Sequence, residues 1–100
     1  MWRIDKDWKG LRREVPWVRR RPSDYIREHV RLTLQPFDAP LDPDHVLRLV
    51  DRLGSEEMLL FATDYPHWHA ETPILVLPAS LSVGLARKML YDNAAALYRL

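Results

Sequence analysis

The run Met58-Leu59-Leu60-Phe61, followed by Ala62-Thr63-Asp64-Tyr65-Pro66, constrains this chain more than any other stretch. An apolar run this short, with no polar residue alternating through it, suits a strand covered on both faces, as parallel strands are in α/β folds. Pro66 has no N–H to give a sheet ladder and restricts Tyr65 to extended backbone, so the strand expected over 58–64 ends here and the chain turns outward. Asp64 then stands at the strand's C-terminal end, where α/β sheets place ligands. The plainer reading of Asp64 is a first turn residue or the N-cap of whatever follows.

A second strand is expected over 29–35, where Val30, Leu32 and Leu34 alternate with polar residues until Pro36. Between the two strands lies the clearest helix of the chain, over 42–53. Asp42 is its N-cap, Pro43 its first residue, Val46, Leu47, Leu49, Val50 and Leu53 its apolar face, and Gly54 its stop. Strand, helix and strand within about 30 residues make a βαβ unit with parallel pairing. Residues 1–28 read as a helical and loop lead-in, with Ile4, Trp8 and Leu11 on one stripe and Ser23 or a neighbour capping a short helix after Pro22. Residues 80–100 read as C-terminal helices capped at Ser80 or Ser82, with a break at Asp92-Asn93.

Phe61-Ala62-Thr63-Asp64-Tyr65-Pro66-His67-Trp68 resembles the last-strand motif of the amidohydrolase-related family that includes the aminocarboxymuconate-semialdehyde and resorcylate decarboxylases. Glu14-Val15-Pro16-Trp17, Pro22-Ser23-Asp24-Tyr25, Thr33-Leu34-Gln35-Pro36 and Asp92-Asn93-Ala94-Ala95-Ala96-Leu97-Tyr98 resemble the same family's C-terminal third. The resemblance implies an α/β fold that is the C-terminal βαβ-plus-helices portion of a TIM (β/α)8 barrel, with strands seven and eight at 29–35 and 58–64. It also implies that Asp64 is a metal ligand and catalytic proton acceptor, that His67 contacts substrate or orients Asp64, and that the metal is a divalent ion, with zinc expected. His67 has a structural loop role as its other reading, and nothing is carried onto His69. The family's remaining ligands, a His-x-His pair on strand one and histidines on strands five and six, belong to barrel parts that this text does not resemble.

One hundred residues fall short of the ~250 of a typical barrel. Two strands cannot cover Leu59, Leu60 and Phe61 on both sides, so the chain is expected to be a fragment or small subunit. A second chain carrying the early strands would complete it, or else self-association would stabilise it, and the substrate would be a small molecule. With no cysteine, thiolate metal sites and disulfides are excluded, and a cytoplasmic setting is compatible. No apolar run reaches the ~18 residues of a membrane span. Charge is uneven: ten Lys/Arg stand against five Asp/Glu in 1–31, and five against nine in 32–100. Tryptophans among Arg12, Arg13 and Arg19–Arg21 admit an RNA-binding arm, though a solvated or partner-contacting face is the usual meaning of a short basic run. A non-catalytic barrel remnant that binds a protein partner as a homo-oligomer is the alternative to the enzyme.

Overall fold

In the computed structural model, residues 1–35, 40, 42–66 and 77–100 are described. The chain forms two compact units, Met1–Val30 and Arg31–Leu100.

The first unit holds α1 (Trp2–Leu11) and α2 (Pro22–His29). Pro22 starts α2 because the first helical position has no intrahelical use for an N–H. Ser23 is therefore not the cap but the second helical residue, and its own orphan donors are met from α1. Asp5 accepts the Ser23 N–H at 2.9 Å and the Ser23 hydroxyl at 2.6 Å. Arg27 in turn donates to the Ser23 oxygen at 3.1 Å, so a serine only 1% exposed is fully engaged. On α1, the Trp8 indole N–H donates to the Val18 carbonyl at 3.1 Å, while Ile4 and Leu11 stay exposed. The basic run is partly spent inside this unit. Arg20 pairs with Glu28 and lies 4.6 Å from the centre of the Tyr25 ring, and Arg21 meets Asp24 at 3.4 Å.

These bonds give the unit an acid limit. The Ser23 hydroxyl and amide hold the Asp5 carboxyl below its ordinary value, helped by the Arg21 and Arg27 charges, and Arg20 does the same for Glu28. A carboxyl whose folded pKa is depressed stabilises the fold above its unfolded value, about 4, and loses that contribution as the pH falls through the folded value. Tryptophan fluorescence followed during acidification should therefore show the unit weakening below about pH 4. Asp5→Asn should flatten that dependence in part, leaving the Glu28 share.

The second unit is β1 (Leu32–Thr33), α3 (Pro43–Leu53), β2 (Leu59–Leu60), and a C-terminal helix. That helix comprises α4 (Val83–Arg87), a π turn (Lys88–Asp92) and α5 (Asn93–Tyr98). The ends of α3 are chemically marked. The Asp42 carboxylate accepts the Asp44 N–H at 2.9 Å, Pro43 follows, and Gly54 closes the helix at φ 66°, a left-handed position that glycine adopts without a Cβ clash. β1 and β2 pair in parallel, Leu32 with Leu59 and Thr33 with Leu60. Leu32 N–H donates to the Met58 carbonyl at 2.8 Å, and Leu34 N–H to that of Leu60 at 2.9 Å.

The core lies where these strands meet the C-terminal helix. Leu34, Leu59 and Met89 are buried together, with Val50, Leu53, Phe61, Leu77, Leu81 and Leu85 packed around them. Met58 and Leu60 are buried as well, so the run 58–60 is covered on both faces within this chain, contrary to the expectation that Leu59 and Leu60 would need a further chain to cover them. β1 is not: Leu34 is buried but Leu32, on the same face, is 45% exposed. With Leu32 and Leu34 N–H groups turned to β2, ladder alternation points the Thr33 N–H to the other edge.

The C-terminal helix does not break at Asp92-Asn93. Ser82 caps it, its oxygen accepting the Leu85 N–H at 3.2 Å, and the helix widens for one turn instead of stopping. The Asn93 N–H bonds to Lys88, five residues back, which releases the Met89 carbonyl. That carbonyl accepts the Phe61 N–H at 2.9 Å. The Asn93 side chain, 7% exposed, donates to the Leu59 carbonyl at 3.0 Å and the Glu56 carbonyl at 2.8 Å. Since Met58 and Leu60 face β1, Leu59 and Phe61 face the opposite edge of β2, and the helix occupies it. Among the described residues, no helix is long and apolar enough to cross a membrane.

Candidate functional site

The two parallel strands end on the same side. Continuing the register from Thr33 and Leu60 sets Gln35 level with Ala62, and Asp64 follows two residues later. On the edge of β2 turned away from β1, the Phe61 N–H is held by the Met89 carbonyl. The chain then enters a turn. The Tyr65 N–H donates to the Thr63 hydroxyl at 3.2 Å, the Tyr65–Pro66 peptide is cis, and Asp64 sits between them at φ 55°.

A left-handed backbone is unusual for a residue with a Cβ, and Asp and Asn are among the few that tolerate it. Such outliers gather at functional sites, where the surroundings impose them. Asp64 is half-buried, between exposed Thr63 and exposed Tyr65. The observed turn thus presents one carboxylate just past the end of a buried parallel strand, a hard oxygen donor able to accept a proton or meet a divalent cation.

His67, which the resemblance gives as a substrate contact, lies outside the described residues, as do His69 and Pro36. Among the described residues no group of three His, Cys, Asp or Glu side chains is placed to hold a metal ion. Asp64 is a single donor, and a metal held there would need further ligands beyond the described residues. Sequence reasoning missed Asn93, which it took for a helix break. Its partners, the Glu56 and Leu59 carbonyls, lie more than thirty residues earlier in the chain, so no local signal marks its role.

No curated protein matches the sequence. The family model described as Amidohydrolase matches residues 1–100, the whole chain and both units. With the match spanning every residue, the chain belongs to the amidohydrolase family.

Proposed function

We propose that the chain supplies the last-strand portion of a metal-dependent amidohydrolase barrel acting on a small molecule. The reaction is C–N or C–O bond hydrolysis or, following the resemblance to the decarboxylase-containing branch, non-oxidative loss of CO2. Asp64 is the contributed proton acceptor and one metal ligand, and His67 meets the substrate. The remaining donors and strands come from a second chain in the cytoplasm, or else the chain is stabilised by self-association. The exposed side of β1 is where added strands would meet the sheet. The observation that carries this reading is Asp64 itself: a carboxylate in a left-handed turn, four residues past Leu60, in a chain matched to the amidohydrolase family throughout.

The test is turnover by the natively purified assembly on amides, esters and aromatic carboxylic acids, before and after chelation. Activity should vanish with the metal and return on adding zinc. Turnover indifferent to chelation would contradict the proposal.

A further inference from the structure

We infer that Asn93 is a positioning residue for Asp64, acting through the outer edge of β2. The inference rests on the reading of Asp64 as the reactive carboxylate and adds to it the device that fixes its place. Leu59 and Phe61 present their backbone groups on the β2 edge turned away from β1, and since the helix holds both, a closing strand of the proposed barrel would meet β2 beyond these two residues. Two groups from one helix turn hold that edge: the Asn93 amide on the Leu59 carbonyl, and the Met89 carbonyl on the Phe61 N–H. The second bond exists because the first residue of α5 reaches back to Lys88 instead of Met89. Asn93 therefore appears in both, through its side chain and through its backbone.

The Asn93 amide also holds the Glu56 carbonyl, which pins the approach to β2 as well as its body. On the outer side, Lys88 pairs with the Glu56 carboxylate, tying the same turn to the same approach. From Phe61 only three residues lead to Asp64. A fixed Phe61 amide and the Thr63–Tyr65 turn leave that short link little freedom, so the position of the carboxylate follows from the helix. Catalytic geometry is sensitive to displacements of about 1 Å, which gives this anchoring a consequence for rate.

Asn93→Asp tests it, since the side chain keeps its size but brings an acceptor against two carbonyls. Asn93→Ser is the milder variant should the first not fold, and Val46→Ala, at a buried position on α3, is the control for general destabilisation. Hydrogen exchange by mass spectrometry on the full chain should accelerate about tenfold or more in the 59–65 segment of the Asn93 variant, with α3 changing less. Val46→Ala should show the reverse pattern. In the completed enzyme the Asn93 variant should lose kcat at unchanged KM, beyond any loss in Val46→Ala. Parental exchange at 59–65, or acceleration spread evenly over the unit, would overturn the inference, as would equal losses of kcat in the two variants. If Asp64→Asn leaves turnover intact, it is the proposed function that fails, and the exchange pattern still decides whether Asn93 fixes the segment.

Discussion

Asp64→Asn should lower turnover of the completed enzyme by about 10²–10⁴-fold while leaving the fold intact. The size follows from what a positioned general base contributes. Asparagine has the same shape but does not accept the proton. It is also among the residues that tolerate the left-handed backbone observed at φ 55°, so the turn with Thr63 and Tyr65 should survive the change. Alanine would confuse the result, because a left-handed alanine adds strain of about 1–2 kcal/mol to the lost carboxylate. Unchanged melting together with collapsed turnover would identify Asp64 as chemical. Unchanged turnover would return it to the role of a turn residue.

Met89→Ala should cost the second unit about 2–5 kcal/mol, the range for truncating a buried methionine. Met89 is 1% exposed and packs with Leu34 and Leu59 where both strands meet the C-terminal helix. Its backbone carbonyl remains to hold Phe61, so the loss reads packing and not the edge bond. For a unit of this size each kcal/mol shifts the midpoint by about 4–8 °C, so thermal unfolding should move by more than 8 °C or so. Val83→Ala, at a position 86% exposed, should stay within about 0.5 kcal/mol of the parent. A small effect at Met89 would mean that the core is not centred on these three residues.

The parts of the fold legible in the sequence are those whose determinants are local. Asp42, Pro43 and Gly54 each act within one helical turn of the residue that they serve, and the structure places all three at the ends of α3. The run 58–60 declares its own burial, since a strand with no polar face has nowhere else to go. Where the determinant is distant, the sequence is silent. Ser23 is satisfied by Asp5, 18 residues earlier, so cap rules confined to neighbouring residues point to the wrong role. Asp92-Asn93 reads as an interruption because both residues disfavour helix interiors, and only the three-dimensional fold shows two strand carbonyls waiting for the amide. Val30, Leu32 and Leu34 alternate as a covered strand should, yet Leu32 stays exposed, because alternation marks a face without supplying what packs on it.

For the site, the sequence placed Asp64 beyond a buried strand, and the structure adds the left-handed turn that a motif cannot display. The family match extends over the lead-in helices as well as the βαβ unit, so the chain's affiliation does not hang on that one motif. On the proposed reading, the two parallel strands, with Leu32 exposed, would be part of the larger sheet of a closed barrel.

The most direct test of that last point is the mass of the native assembly by size-exclusion chromatography with light scattering, taken together with its metal content. The account predicts a complex larger than the 11.8 kDa chain, containing a second chain with a His-x-His pair or further copies, and about one divalent ion per catalytic unit. A metal-free species of one chain, or a metal-free homo-oligomer, would contradict it and leave the Asp64 turn as the remnant of a site.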